Sequence, residues 1–341
     1  MINVGLIGFG YWGPNLAKNF SQINGVFLHS ICEFKKEKAE RIKEQYPLTC
    51  LVNNFKDIII NKEIDAVAIA TPPATHFKLA KEALLSGKHV LVEKPLTTTS
   101  RHAEELIKIA QQNKLILMVG HTFEYNDAVL KLKELIKNGD IGDILYIYSQ
   151  RLNLGILRQD INAWWNLAPH DISILLFLLE SSPVKVSAKG LTFFNNNIED
   201  VVFANLEFAN SVNVHIHVSW LDPNKIRKMI VVGTKKMIIY DDVSNDAKLQ
   251  IFDKGIEKLH KQAADSYPDT FGEYQLVIKS GNLLVPQIHF SEPLRKECLH
   301  FVQCIRENKR PLTDGESGLR VVRILEAVDK SLKNNGKTIK L

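Results

Sequence analysis

A glycine-rich turn near the start of the chain is the feature that most constrains the fold. It lies between a short apolar run at residues 3–7 and a helical pattern, and its spacing is G-x-G-x-x-G. In such a turn the first glycine permits a tight bend, the second lets a phosphate approach the backbone, and the third lets helix and strand pack closely. The free N–H groups at the start of the helix attract anions. The sequence therefore predicts a binding site for the pyrophosphate of a dinucleotide, formed by Gly8, Phe9, Gly10, Tyr11, Trp12 and Gly13.

An acidic residue ends the next predicted strand at the distance that this turn requires. Glu33 lies 20 residues after Gly13, where a carboxylate can accept hydrogen bonds from the adenosine ribose and repel a 2′-phosphate. We therefore expect NAD to be preferred to NADP, although Lys35 and Lys36 follow directly and weaken that preference. The alternative is a structural glycine-rich turn next to a solvated glutamate.

The first 120 residues alternate short runs rich in β-branched residues with helical patterns. The predicted strands are residues 3–7, 26–32, 49–52, 65–70, 89–92 and 115–119. The predicted helices between them are residues 34–45, 76–86 and 100–113. Strands that are apolar on both faces and alternate with helices predict an α/β domain with a parallel sheet.

The pattern changes after residue 120. Helices are predicted at 126–138, 170–179, 292–307 and 315–333. Strands at 184–191, 201–208, 212–220, 227–232 and 236–240 follow one another without helices between them. Such runs predict an antiparallel or mixed sheet, and hence an α+β domain at 121–341. The polar stretch 255–281 receives no assignment.

Composition excludes several classes of protein. A net charge of +5 over 341 residues, without a basic stripe, argues against nucleic-acid binding. No apolar run approaches the roughly 18 residues of a membrane helix, and the first residues do not form a signal peptide. The cysteines form no C-x-x-C pair, which argues against zinc and disulfides and favours a reducing cytoplasm. His215 and His217 lack a third ligand, so we expect no metal.

Two loops follow predicted strands of the first sheet, where a cofactor crevice is expected. The first supplies the candidate cofactor contacts Thr71, Pro72 and His76; a strand-to-helix loop capped by Thr75 is the alternative. The second reads Glu93-Lys94-Pro95. An ammonium held there can hydrogen-bond a substrate hydroxyl and stabilise the developing alkoxide, whereas an exposed lysine in a turn is the alternative.

Together these motifs resemble the Gfo/Idh/MocA oxidoreductases. The similarity includes the A-T-P-P-x-x-H loop, E-K-P, and Gly-His before Phe-Glu-Tyr-Asn at 120–126. Glu-Pro at 292–293, Pro-Leu at 311–312 and Gly-Glu-Ser-Gly at 315–318 extend it over nearly the whole chain. The resemblance implies a Rossmann domain at 1–120 that binds NAD. It also implies an α+β domain at 121–341, with a large open, mostly antiparallel sheet, for substrate binding and self-association.

The resemblance also implies the active-site residues of a sugar or cyclitol dehydrogenase. It makes Lys94 and His170 catalytic, with His170 as the base for the hydroxyl proton. The family's aspartate is replaced here by Asn166, which cannot stabilise an imidazolium by charge. Compensation by Asp171 or Glu93 is one alternative, a slower site is another, and a hydrogen bond from Asn166 to the substrate or the nicotinamide carboxamide is a third. The further cofactor contacts that it implies are Glu93, Lys94 and His121. The further substrate contacts are Lys94, Tyr125, Asn166 and His170.

Residues 151–162 resemble a subgroup that acts on UDP-linked amino-sugar uronates. The candidate substrate contacts in this segment are Arg151, Asn153, Arg158 and Asn162. Either arginine could bind a carboxylate or phosphate bidentately, and a polar loop with structural Arg–Asp pairs is the alternative.

The expected function is hydride transfer between NAD and a ring hydroxyl or ketone of a nucleotide-linked, anionic sugar, at C3 by analogy with the subgroup. An inositol or free-sugar dehydrogenase is one alternative, and a non-catalytic NAD-binding regulator is another. We expect a cytoplasmic homodimer or homotetramer, associated through the open sheet.

Overall fold

A computed structural model describes residues 1–155, 157–194, 198–256, 278–279 and 281–341. The chain divides into two compact units, one comprising Met1–Asn126 with Ser291–Glu326, the other Asp127–Phe290 with Ala327–Leu341. The sequence predicts a single boundary after residue 120. The structure differs because the segment 291–326 returns to the first unit. Most of the unassigned stretch 255–281 lies outside the described residues.

The first unit contains a six-stranded parallel sheet. Its strands are β1 (Ile2–Ile7), β2 (Val26–Cys32), β3 (Cys50–Val52), β4 (Ala66–Ile69), β5 (His89–Glu93) and β6 (Leu117–Gly120). They follow the order 3-2-1-4-5-6, which is the order of a dinucleotide-binding Rossmann sheet. The carboxyl ends of these strands therefore lie along one edge.

Helices cover this sheet. They are α1 (Gly13–Ser21), α2 (Lys36–Gln45), α3 (Phe55–Ile59), α4 (Pro73–Leu85) and α5 (Ser100–Gln112). A 3-10 helix, Thr122–Tyr125, follows β6, and α8 (Pro293–Glu307) comes from the C-terminal segment. Phe20 of α1 meets Phe301 of α8 edge to face, with ring centroids 6.3 Å apart. The apolar stripe of α8 therefore packs into the core of the first unit.

The second unit contains a nine-stranded sheet. Its elements up to the fourth strand are α6 (Asp127–Lys137), β7 (Ile144–Leu152), α7 (Ala163–Leu179), β8 (Pro183–Leu191), β9 (Val201–Phe208) and β10 (Asn213–Ser219). The remaining strands are β11 (Ile226–Gly233), β12 (Met237–Asp241), β13 (Leu249–Phe252), β14 (Gly255–Ile256), β15 (Ile278–Lys279), β16 (Leu283–Leu284) and β17 (Ile339–Lys340). The long helix α9 (Gly315–Lys333) is shared between the two units.

The order of the large sheet is 16-13-12-11-7-10-9-8-17, and β14 pairs with β15 separately. The pair β7–β10 is parallel, and the other pairs in this sheet are antiparallel. The predicted fold class, a Rossmann domain followed by an α+β domain with a large and mostly antiparallel sheet, is confirmed.

Two elements of the second unit differ from the prediction. Helix α7 begins at Ala163 rather than at residue 170, and Pro169 lies inside it. A proline inside a helix is unfavourable because it lacks an N–H and clashes with the preceding turn. The cost of that proline is offset by Asn162, which caps the first turn, and by the burial of all residues from 171 to 176. Strand β7 was not predicted at all.

Candidate active site

The glycine-rich turn joins β1 to α1, and its three glycines meet different surroundings. Gly8 has φ +97°, and a Cβ there would lie 2.7 Å from the carbonyl oxygen of Ala70. A Cβ on Gly13 would collide with the carbonyl oxygen of Gly8. A Cβ on Gly10 would meet no described atom within 4 Å. The fold therefore requires glycine at positions 8 and 13, but not at 10.

This turn fits the pyrophosphate of a dinucleotide. Trp12 is the N-cap of α1 and provides no side-chain hydrogen bond to the first turn. Pro14 has no N–H, and the N–H groups of Asn15 and Leu16 donate to the Trp12 carbonyl, so the start of this helix attracts an anion through its partial positive charge. Gly10 is exposed, and its missing side chain leaves open space beside the backbone where a ligand would approach. Phe9 is buried, and Tyr11 is 93% exposed. The turn thus supplies donors from its backbone rather than from side chains.

Glu33 lies at the end of β2 beside the same turn. Its side chain is 5% exposed, and its carboxylate accepts a hydrogen bond of 2.9 Å from the backbone N–H of Lys35. Lys38 lies with Nζ 3.6 Å from Glu33 Oε2 and donates a 2.6 Å hydrogen bond to the carbonyl oxygen of Phe9. Lys38, which belongs to no predicted motif, therefore brings a positive charge next to Glu33.

His76 is fully buried between the two loops that follow β4 and β5. Its Nδ1 lies 2.8 Å from the carbonyl oxygen of Pro95, and its Nε2 lies 2.8 Å from that of Thr71. Burial lowers the pKa of this imidazole, against the effect of the two carbonyls. With no exposed surface, His76 holds the loops together instead of contacting a cofactor. Thr75 does not cap α4, because that helix begins one turn earlier, after Pro72.

Thr71 and Pro72 lie at the edge of this region. Thr71 is half-buried, Pro72 is exposed, and the Thr71 hydroxyl lies 2.6 Å from that of Thr75. The methyl group of Thr71 would lie 2.8 Å from a Cβ on Gly8. The loop after β4 and the glycine-rich turn therefore lie side by side.

Lys94 follows β5 and is surrounded by buried polar groups. Glu93 pairs in register with Gly120 on β6, and its carboxylate would lie 3.1 Å from a Cβ at that glycine. Burial raises the pKa of Glu93 to about 8, while Lys94 and Trp12 act in the opposite direction. Burial and the charge of Lys94 lower the pKa of His121 to about 3. His121 is thus a neutral imidazole within electrostatic reach of the Lys94 ammonium.

Tyr125 does not lie where a substrate contact is expected. It is 6% exposed, its hydroxyl lies 3.3 Å from Thr313 Oγ1, and its ring packs against His300. The tyrosine belongs to the core of the first unit. Its position directly after the Gly-His junction was the only signal for a substrate role.

In the second unit, Asn162, Asn166 and His170 lie four residues apart along α7, on one face of the helix. Asn162 is committed to capping: its Oδ1 accepts from Trp165 N at 3.0 Å, and its Nδ2 donates to Glu199 Oε2 at 2.8 Å. Asn166 and His170 are both half-buried. Two of the three predicted side chains on this face therefore remain candidates for binding and chemistry.

Arg151 is buried in an ion pair and is not placed to bind a substrate. It lies on β7, is 4% exposed, and donates from Nε to Asp171 Oδ2 at 2.6 Å and from Nη2 to Oδ1 at 3.3 Å. Ser149 donates to the same carboxylate at 2.9 Å. Asp171 is held by these partners, so it does not replace the family's aspartate beside His170.

The segment after β7 is more exposed. Arg158 pairs bidentately with Asp160, at 2.8 and 2.6 Å, and its side chain is 35% exposed. Asn153 is half-buried and folds over Gly155, where a Cβ would lie 2.7 Å from its Nδ2. Arg158 is therefore the accessible arginine of this segment, although it already has an anionic partner.

The cysteine and histidine side chains of the described residues form no metal site. The cysteines at 32, 50, 298 and 304 are free thiols. Within the described ranges, no group of three or more His, Cys, Asp or Glu side chains could hold a metal ion. His215 and His217 instead stack on Phe203. No helix in these ranges is long and apolar enough to cross a membrane.

Known proteins share both the sequence and the fold. A UDP-N-acetylglucosamine 3-dehydrogenase from Acidithiobacillus ferrooxidans is 29% identical over 259 residues, which are 74% of this chain and 78% of that protein. An inositol 2-dehydrogenase from Salmonella typhimurium is 24% identical over 224 residues, which are 64% of this chain and 67% of the relative.

Two solved structures have the same fold over nearly the full length of both chains. The UDP-N-acetylglucosamine 3-dehydrogenase from Acidithiobacillus ferrooxidans superposes with a TM-score of 0.81, at 23% identity and 98% coverage of both chains. The scyllo-inositol dehydrogenase from Lactobacillus casei, with bound NAD(H) and scyllo-inositol, has a TM-score of 0.79 at 19% identity, with 100% of this chain and 99% of that chain covered.

Family models match most of the chain. Residues 2–121 match an oxidoreductase family with an NAD-binding Rossmann fold, and residues 129–239 match the GFO/IDH/MocA C-terminal domain. These matches cover the Rossmann sheet and the strands β7 to β11. The chain belongs to the Gfo/Idh/MocA family of NAD-binding oxidoreductases.

Proposed function

We propose that this oxidoreductase transfers a hydride between C3 of a nucleotide-linked sugar and NAD. The environment of Lys94 carries the proposal. This lysine follows β5 at the carboxyl edge of the NAD-binding sheet and lies within electrostatic reach of Glu93, His76 and His121. A cation held among buried groups at that edge can act on a substrate hydroxyl, whereas an ordinary surface lysine would be solvated.

The proposed mechanism assigns one task to each residue. The glycine-rich turn and Glu33 would hold NAD, which would supply the acceptor for the hydride. Lys94 donates a hydrogen bond to the hydroxyl oxygen and stabilises its negative charge as the proton leaves. His170 takes that proton as the general base. In the reverse direction the ketone carbon would receive the hydride, Lys94 would stabilise the resulting alkoxide, and His170 would return the proton to its oxygen.

Asn166 makes this site differ from the common pattern. Asn166 lies one helical turn before His170, where it can orient a ligand through its amide. It supplies no negative charge, and Asp171 is held by Arg151 and Ser149. We therefore expect the imidazolium of His170 to be less stabilised here than in relatives with an aspartate, and catalysis to depend more on Lys94.

Glu33 supports NAD as the preferred cofactor. Its carboxylate lies beside the glycine-rich turn and next to the Phe9 carbonyl that Lys38 contacts. A carboxylate there would bind a ribose diol and repel a 2′-phosphate. Lys38 partly neutralises it, so the expected preference is moderate and not absolute.

The relatives support the class of substrate. The two relatives named above by sequence are dehydrogenases of polyhydroxylated rings, and one of them acts on a UDP-linked amino sugar. Arg158 adds an accessible cation to the segment that follows β7. An anionic, nucleotide-linked sugar is therefore favoured over an uncharged inositol.

A turnover assay tests this assignment. Purified protein with NAD would be offered UDP-N-acetylglucosamine, UDP-linked sugar uronates, inositols and free sugars, with nicotinamide absorbance as the readout. We expect the highest kcat/KM on a UDP-linked sugar. Turnover of inositols or free sugars alone would overturn the substrate class. NAD binding without turnover across the panel would instead favour a non-catalytic NAD-binding regulator.

The role of His170 has its own test. His170→Ala should lower kcat by about 10²- to 10⁴-fold while NAD binding is retained, because a general base typically contributes that factor. His289→Ala, at an exposed histidine of the same unit, is the matched control and should leave kcat unchanged. Equal rates for the His170 variant and the control would remove His170 from the mechanism.

A further inference from the structure

The first turn of α7 is held by an acid that neither the sequence analysis nor the proposed mechanism uses. Asp329 lies on α9, in the same unit as α7, and its Oδ2 accepts a hydrogen bond of 2.7 Å from Trp165 Nε1. Its Oδ1 accepts a longer one, of 3.5 Å, from Asn162 Nδ2. Trp165 is buried, and an indole N–H inside a protein needs an acceptor. Asp329 therefore supplies the partner that this tryptophan requires.

A second acid holds the same turn from the large sheet. Glu199 lies just before β9, and its backbone carbonyl accepts a hydrogen bond of 2.9 Å from Ala163 N. Its Oε2 accepts one of 2.8 Å from Asn162 Nδ2. Of the two acids, Asp329 is the one that bonds a side chain inside the helix, that of Trp165. Glu199 therefore fixes where α7 starts, and Asp329 fixes the turn that follows.

Helix α7 needs such an anchor because its own hydrogen bonding is interrupted. Pro169 has no N–H, so it donates nothing to the carbonyl of Trp165, four residues earlier, and its ring crowds that carbonyl. Asn166 lies before this interruption, in the first turn. His170 comes directly after it, next to the fully buried stretch 171–176. The helix alone therefore ties Asn166 to His170 less tightly than an unbroken helix would.

We propose that Asp329 is a positioning residue for the candidate active site. By holding the indole of Trp165 it fixes the first turn of α7, so that Asn166 stays on the same face as His170 and both reach one ligand. A carboxylate suits this task because its hydrogen bonds are stronger than those of a neutral acceptor. The consequence for catalysis rests on the proposed function, whereas the anchoring of the turn does not and can be measured without turnover.

Amide hydrogen exchange of the intact chain, followed by mass spectrometry, measures the anchoring. Three backbone N–H groups of the first turn are hydrogen-bonded, those of Ala163, Trp165 and Asn166. Asp329→Ala should speed exchange in a peptide that covers them by at least about tenfold, because a hydrogen bond to a charged group contributes that factor or more. Exchange in residues 171–176 should keep its wild-type rate, since burial holds that part of the helix.

Three further variants make the exchange result specific. Asp329→Asn keeps an oxygen that accepts from the indole, so its first turn should exchange at close to the wild-type rate. Trp165→Phe removes the donor instead and should speed exchange of the first turn selectively. Lys330→Ala, at the exposed neighbour on the same helix, is the matched control and should change neither part of α7.

Two outcomes would overturn the anchoring. One is wild-type exchange of the first turn in Asp329→Ala, or in Trp165→Phe should the former variant not fold. The other is equal acceleration throughout α7, because the substitution would then loosen the whole helix and not its first turn.

Turnover then tests the consequence for catalysis. On the sugar with the highest kcat/KM, Asp329→Ala should lower kcat by at least about tenfold while NAD affinity stays that of wild type, because small misplacements of reacting groups are costly. Asp329→Asn should recover most of the loss, and Lys330→Ala should show none. An unchanged kcat in Asp329→Ala would overturn the positioning role. If no sugar is turned over, the proposed function fails, and the exchange rates alone decide whether Asp329 anchors α7.

Discussion

The three glycines after β1 serve different purposes, as shown by the atoms that a Cβ at each position would meet. Gly8 and Gly13 are required by the fold, because a Cβ at either would meet backbone oxygen. Gly10 is exposed, and a Cβ there would meet nothing within 4 Å among the described atoms. A glycine that the fold does not need points to a ligand that approaches the backbone.

Alanine substitutions should separate the two purposes. Gly10→Ala should leave the thermal midpoint near that of wild type but weaken NAD binding by at least about tenfold, through collision with the pyrophosphate. Gly13→Ala should lower the free energy of unfolding by about 1–3 kcal/mol, as expected for forced overpacking. Calorimetric NAD titration and thermal unfolding measure both effects. Wild-type NAD affinity in Gly10→Ala would contradict the assigned role of the turn.

The choice between NAD and NADP should depend on two side chains of opposite charge. Glu33→Ala should weaken NAD binding about tenfold or more, since hydrogen bonds to a charged group contribute about 1.5–3 kcal/mol. It should also strengthen NADP binding, because Lys38 loses its anionic partner. Lys38→Ala is the matched control and should move the preference toward NAD. An unchanged ratio of the two affinities in Glu33→Ala would exclude the glutamate from cofactor selection.

At the scale of single residues, the sequence locates side chains that belong to short motifs. It does not reveal a role that depends on which distant residues surround a buried side chain. The turn, the loop after β4 and Lys94 lie where their spacing predicts. Glu297 lies on the buried face of the amphipathic helix α8, and the sequence shows only an acidic residue among apolar neighbours there. Arg151 looks like a ligand in the sequence because nothing local reveals that Asp171, 20 residues later, is its partner.

At the scale of elements, the association of β7 with α7 organises the second unit. On β7 the residues buried against the helix side are Ile147, Ser149 and Arg151. Two of these three are polar, so the apolar alternation that identifies a strand is lost. The strand was missed for that reason, although it lies at the centre of the nine-stranded sheet. The same ion pair, between Arg151 on β7 and Asp171 on α7, also attaches the helix that carries His170 to this strand.

Breaking that ion pair should destabilise the second unit strongly. Arg151→Met should lower the free energy of unfolding by about 3–5 kcal/mol, because it leaves the Asp171 charge buried without its partner. Arg158→Met removes an arginine from a pair that is partly exposed and should cost at most about 1 kcal/mol. Denaturant unfolding of the two variants side by side measures the difference. Similar losses for both would contradict the buried character of the Arg151–Asp171 pair.

At the scale of the whole molecule, one face of the large sheet remains exposed enough to bind another copy. Tyr148 and His215 stack at 5.4 Å between ring centroids, and Phe203 and His217 stack at 4.3 Å. These four rings are half-buried on neighbouring strands. Aromatic side chains left partly exposed in a group are typical of an association surface.

We therefore expect self-association through this face. Phe203→Glu should convert the dimer or tetramer to a smaller species, because it would bury a charge in the interface. Light scattering coupled to size-exclusion chromatography measures the mass. Phe194→Glu, on an exposed residue after β8, is the control and should leave it unchanged. A monomeric wild type, or a variant of undiminished mass, would contradict this surface.

We propose that hydride leaves C3 of a nucleotide-linked sugar. The most direct test uses UDP-N-acetylglucosamine deuterated at C3, incubated with the protein and NAD. We predict that deuterium appears in the reduced nicotinamide by mass spectrometry, and that kcat/KM falls relative to the unlabelled sugar. Reduced nicotinamide without deuterium would place the reaction at another carbon, and no reduction of NAD by any UDP-linked sugar would contradict the claim itself.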